Sequence, residues 1–98
     1  MLSKENPFKN KNLQEYFETG KVPKGLDAKL ASRTKFLLVH LESAQSIHDI
    51  GQGIGSQKRL HKLECGLYSL DINGPYRLLF QMNEKTGEVY DIDIKNTH

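Results

Sequence analysis

Little in this sequence could be cross-linked, ligated through sulfur or threaded through a bilayer. Its 98 residues contain a single cysteine, Cys65, which leaves no internal disulfide and no cysteine-based zinc centre to hold a fold. Tryptophan is absent. No apolar run approaches the roughly 20 residues of a transmembrane helix, and the opening Met1-Leu2-Ser3-Lys4-Glu5-Asn6 lacks the apolar core of a secretory signal. The expectation is a soluble, cytoplasmic chain with no membrane partner. Hydrophobic residues make up 37% and charged residues 27%, with three prolines and eight glycines. That composition is globular, neither disordered nor fibrous. The length is that of one domain, residues 1–98, with a thin core.

The net charge of +2 points to no particular partner until it is divided. Residues 1–40 carry eight cations against four anions, and residues 41–98 carry six against eight. A basic half can attract phosphate, although lysines on helix faces often do no more than stay solvated.

Periodicity gives the layout. Leu13, Tyr16 and Phe17 fall at i, i+3 and i+4, one face of a helix over Asn10 to Glu18. Gly20 stands where a C-terminal cap belongs, and Pro23 follows. A second helix begins after the N-cap candidate Asp27 and runs to about Glu42, with Leu30, Thr34, Leu37, Leu38 and Leu41 as its buried stripe. Ser46 to Ile50 could add a turn before the glycine-rich Gly51 to Gly55.

Beyond that stretch the period becomes two. Tyr68, Leu70 and Ile72 alternate with Leu67, Ser69 and Asp71; Asn73-Gly74 signals a hairpin, which Pro75 suggests is longer than two residues. Tyr76, Leu78, Phe80 and Met82 then alternate with Arg77, Leu79 and Gln81, and Asn83 to Gly87 makes the next turn. In the last strand Tyr90, Ile92 and Ile94 alternate with Asp91 and Asp93. With a short strand around Arg59 to Leu63 this is an antiparallel meander. Helices first and strands afterwards give an α+β fold, with N-terminal helices packed on one face of a C-terminal antiparallel β-sheet. The other face is open and polar, carrying Ser69, Asp71, Arg77 and Gln81.

The chemistry-bearing residues are few. Gly51-Gln52-Gly53-Ile54-Gly55 follows a helix and lacks both the GxGxxG spacing and the lysine-serine ending of a phosphate loop, so it reads as a connection. His40, His48, His61 and His98 show no metal-ligand spacing, and neither a metal nor a cofactor is expected. His61 sits in Lys58-Arg59-Leu60-His61-Lys62, the densest basic cluster of the chain. Arg77 lies within an otherwise apolar strand, where a charge needs either a partner, such as Asp71 or Asp91, or a task. RNA cleavage would use all these parts: a base for the 2′-hydroxyl, a cation for the phosphorane-like transition state and an acid for the 5′-oxygen. Histidine exchanges protons near neutrality, and arginine grips two phosphate oxygens at once. On the pattern alone this is one option among several.

Five segments, in order, resemble the HigB-like branch of the RelE/ParE toxin superfamily, the toxin halves of bacterial type II toxin–antitoxin pairs. Leu13-Gln14-Glu15-Tyr16-Phe17-Glu18-Thr19-Gly20 is similar to the family's first-helix signature. Leu37 to Asp49 is similar to the segment closing the second helix. Arg59-Leu60-His61-Lys62-Leu63 resembles the start of the sheet. The run from Tyr68 to Phe80, with Asp71-Ile72-Asn73-Gly74-Pro75-Tyr76-Arg77 at its centre, is the most specific match. Asp91-Ile92-Asp93-Ile94 and the final His98 resemble the last strand and tail.

The resemblance implies a metal-independent endoribonuclease that enters the ribosomal A site, cleaves mRNA there, inhibits translation and is neutralised by a helix-turn-helix, HigA-like antitoxin. It makes His61 the first-strand histidine of the site, Arg77 the phosphate-holding arginine and His98 a general acid. Lys58, Arg59 and Lys62 would contact RNA. Two departures stand out. Glu64-Cys65-Gly66 replaces the family's Lys-Gly-Asp, and Asn96-Thr97-His98 replaces Asp-Tyr-His. Either Glu64 serves as the general base, or catalysis is weakened and an antitoxin-binding module remains. A ParE-like inhibitor of DNA gyrase is a further alternative, although an inhibitor needs no acid–base pair.

Overall fold

A computed structural model of the chain describes residues 1–45, 60–63, 66–73 and 75–96. The expected turn at Ser46 to Ile50, the glycine stretch, Lys58, Arg59, Glu64, Cys65 and His98 lie outside the described residues. Two helices, α1 (Lys11–Thr19) and α2 (Ala28–Ser43), precede four strands, β1 (Leu60–Lys62), β2 (Tyr68–Asn73), β3 (Tyr76–Met82) and β4 (Val89–Asn96). The strands form one antiparallel sheet in the order β1-β2-β3-β4. This is the α+β arrangement expected from the sequence, and no helix among the described residues is long and apolar enough to cross a membrane.

Both helices begin at side-chain caps. Asn10 accepts from the N–H groups of Asn12 and Leu13, and Asp27 accepts from that of Leu30, which satisfies donors that have no partner inside the first turn. Helix α1 stops at Gly20, whose φ of 83° suits glycine. Leu30, Thr34, Leu37, Leu38 and Leu41 are all buried against the sheet, as their spacing predicts. The buried hydroxyls find acceptors: Tyr16 Oη donates to Ala31 O at 2.8 Å and Thr34 Oγ1 to Leu30 O at 2.8 Å. Lys35 joins the helices, donating to Phe17 O at 3.0 Å while its ammonium lies 4.9 Å from the Phe17 ring centre.

Three features depart from simple alternation. Asn73 pairs with Tyr76, so two residues separate the paired ends of the hairpin rather than the longer loop suggested by Pro75; the register slips between Asp71 and Asn73 to meet that turn. Between β3 and β4 the register shifts at Leu79 to Gln81, and Asp91 of β4 adopts φ 54°. This bulge sets two residues of β4 against one of β3. Tyr90 therefore lies opposite Gln81 on the open face instead of sharing the inward side with Ile92 and Ile94, and Val89 takes the inward place. Finally, an N-terminal arm with no periodicity of its own runs parallel to β4, bridging Leu2 to Val89 and Phe8 to Ile92. Its Lys9 N–H donates to Ile92 O at 2.8 Å.

Candidate active site

Strand register assigns the open face directly, because residues directly opposite each other across a sheet share a side. One row crosses all four strands: His61, Ser69, Leu79 and Asp93. The next row holds Asp71, Arg77 and Lys95. The expected open-face set of Ser69, Asp71, Arg77 and Gln81 is therefore present, with Ser69 itself buried.

His61 and Arg77, two strands apart, converge on Asp71. Arg77 Nε lies 2.9 Å from Asp71 Oδ1, and His61 Nε2 lies 3.9 Å from the same oxygen. The ion pair that the sequence offered as one explanation of Arg77 is thus real. It holds one edge of the guanidinium, while Nη1 donates to Tyr76 O at 3.1 Å. The Arg77 side chain stays 29% exposed and that of His61 52%, so solvent reaches both. Asp71 Oδ1 is buried and receives no well-aligned hydrogen bond among the described residues. The guanidinium at 2.9 Å supplies the opposite charge that such a buried oxygen needs.

Lys62 is not part of this group. It pairs in register with the buried Tyr68 and so lies on the opposite side of β1 from His61. Its ammonium is 3.6 Å from Glu84 and 5.7 Å from the Tyr68 ring centre. Tyr68 Oη donates to Glu84 at 2.6 Å. That hydrogen bond to an anion, with burial, pushes the phenol up to about 12. The same bond, followed by the charge of Lys62, holds the Glu84 carboxyl below its usual range. Among the described residues no three His, Cys, Asp or Glu side chains gather in a metal-binding group.

The sequence pattern set Arg77 and Asp71 on the open face and offered Asp71 as a partner, but not the approach of His61 to the same oxygen. It missed Tyr90, because nothing in Val89-Tyr90-Asp91-Ile92 marks a bulge except an aspartate able to tolerate positive φ. Lys9, one of the eight cations of residues 1–40, is brought beside the sheet by the pairing of the arm with β4.

No protein of curated function matches the chain. A family model does: the RelE-like toxin of the type II toxin-antitoxin system HigB, over residues 6–95. The matched stretch runs from the N-terminal arm through both helices and into the last strand, taking in His61, Asp71 and Arg77; on that extent the chain belongs to the HigB-like family of RelE-like toxins.

Proposed function

We propose that residues 1–98 form a single toxin domain acting as a ribosome-dependent, metal-independent mRNA endoribonuclease in the cytoplasm, neutralised by a helix-turn-helix, HigA-like antitoxin. The observation that supports this most is the gathering of His61 and Arg77 around one carboxylate oxygen of Asp71 on an otherwise open face. Packing does not require such a group there.

The residues suit cleavage by transesterification. A base removes the proton of a ribose 2′-hydroxyl, and the 2′-oxygen attacks the adjacent phosphorus. The bond to the 5′-oxygen breaks as an acid protonates it, leaving a 2′,3′-cyclic phosphate and a 5′-hydroxyl. Arg77, held by Asp71 along its Nε edge and still reached by solvent, carries the fixed positive charge that offsets the charge building on the phosphorane. His61 or Glu64 serves as base and His98 as acid. His98 lies beyond the family match, which ends at residue 95. Lys58, Arg59 and Lys62 contact ribosomal RNA, Lys62 from the side of β1 away from His61.

The Arg77–Asp71 pair also favours a second reading, in which the arginine is structural and the protein is an antitoxin-binding module with weakened chemistry. Induced expression of the chain beside His98→Ala, with primer extension on abundant transcripts, separates the two. Cuts within reading frames that vanish in the variant establish the nuclease and its acid. Growth arrest without cuts points to a gyrase-directed poison, and neither arrest nor cuts supports the binding module.

A further inference from the structure

A hollow on the open face is not used by the proposed cleavage centre. Leu67, Leu79, Gln81, Asp91 and Asp93 of the sheet region line it, with Lys9 of the N-terminal arm at its edge. We propose that this hollow is a nucleobase subsite, seating the base of a nucleotide next to the scissile phosphate and discriminating against uracil; the proposal rests on the nuclease reading above.

Position is the first argument. Leu79 lies two residues from Arg77 on the same strand and the same face, about 7 Å along the sheet, close to the reach of one extended nucleotide. A phosphate at Arg77 thus brings a neighbouring base over the hollow. Composition is the second. Leu67 and Leu79 are half-buried and supply an apolar floor on which the flat face of a base loses water. Beside them stand two carboxylates, which repel a phosphate but accept from base-edge amino groups. The base belongs inside and its phosphates outside, where Lys9 is exposed and can meet one.

The carboxylates are held in place before any ligand arrives. Gln81 Nε2 donates to Asp91 Oδ2 at 3.1 Å. Asp93 Oδ1 accepts from Asn10 Nδ2 at 3.1 Å and from the Ile94 N–H at 2.8 Å. Asp91 Oδ1 and Asp93 Oδ2 keep no hydrogen bond among the described residues. The β4 bulge sets Tyr90 on this side together with Asp91, a typical use of a bulge beside a site. Carboxylates only accept. Adenine, cytosine and guanine each present an exocyclic amino group, and acidic side chains read the cytosine amino group in this way. Uracil presents two carbonyl oxygens around a single N–H, and those oxygens would face the carboxylates.

The test maps every cut across the transcriptome after induction of the full chain and of Asp91→Asn, with antitoxin binding as the check on folding. The parent should show uridine depleted about tenfold at one position flanking its cuts, the scale of discrimination expected of a well-placed base-edge hydrogen bond. Asp91→Asn, which can offer an amide donor to a carbonyl, should restore uridine there several-fold while cutting continues. Cuts by the parent with uridine at its ordinary frequency on both flanks overturn the subsite and leave the nuclease reading intact, whatever the variant does. Depletion that persists unchanged in a folded Asp91→Asn overturns the assignment to this hollow. No cuts by the parent overturn the nuclease reading, and the subsite with it.

Discussion

The two faces of this sheet are built from the same strands, yet they answer to different physics. On the covered face Leu70, Leu78, Phe80, Val89 and Ile92 are fully buried against the helices. Each is there because removing apolar surface from water drives folding. On the other face, alternate residues of those strands are Asp71, Arg77, Gln81 and Asp93, all half-buried. An open face needs only to be wettable, and any polar residue would satisfy that. It does not need a carboxylate oxygen shared between a guanidinium and an imidazole. Where packing gives no reason for an arrangement, function is the better place to look for one.

Substitution should pull the faces apart. Phe80→Ala removes the largest fully buried side chain among the described residues and should cost about 3–5 kcal/mol of stability, read by urea unfolding. Arg77→Ala on the opposite face removes a partly exposed ion pair and should cost no more than about 1 kcal/mol, while cleavage falls by roughly 10²–10³, the usual cost of losing one donor to developing charge. If Arg77→Ala unfolded as readily as Phe80→Ala, the contrast between the faces would fail.

A second comparison concerns two turns. Gly20 and Gly87 both have positive φ, 83° and 77°, so alanine at either meets a backbone penalty of about 1–2 kcal/mol. Around Gly20 there is open space for a methyl group, whereas at Gly87 it would collide with the backbone carbonyl of Gln45. Gly87→Ala should therefore destabilise well beyond Gly20→Ala, and equal thermal midpoints for the two variants would count against the close approach.

Smaller effects sharpen the picture on the open face. Asp71→Asn keeps the shape but removes the charge that holds Arg77, so cleavage should drop by about tenfold through misplacement of the clamp with antitoxin binding intact. An unaltered cleavage rate would make Asp71 a bystander. The smallest effect lies at the far side of β1. The lowered Glu84 carboxyl contributes stability above its ordinary value of 4.5 that is lost as the solution becomes more acid. The raised Tyr68 phenol contributes stability below its ordinary value of 10.0 that is lost as pH climbs toward about 12. Tyr68→Phe should flatten both arms of the stability–pH curve, and an unchanged curve would show that the bond carries no linkage.

Much of this arrangement was legible in the sequence because hydrophobic period is a direct image of burial. The helix stripe from Leu30 to Leu41 and the two-residue alternation of β2 and β3 each report one solvent-free side. The ends of α1 and α2 were marked by Asn10, Gly20 and Asp27, whose side chains or backbone freedom do the capping. What escaped was set by tertiary pairing. The β4 bulge exists because an extra residue must be absorbed opposite Phe80, and only the completed sheet reveals it. The N-terminal arm is ordered by hydrogen bonds to Val89 and Ile92, not by a pattern within residues 1–9. In the candidate site, His61 and Arg77 were visible as residue types out of keeping with their surroundings. Their meeting at Asp71 depends on the register of three strands, and the separation of Lys62 from His61 follows from the same pleat. Resemblance to a toxin family supplied roles that neither charge nor period could.

The most direct test of the account is growth arrest by Arg77→Ala, with antitoxin binding measured on the same protein. If the open face is the catalytic surface, the variant binds antitoxin as the parent does, yet neither arrests growth nor cuts transcripts. An Arg77→Ala protein as toxic as its parent would contradict the account and return Arg77 to the role of an ion-pair partner of Asp71.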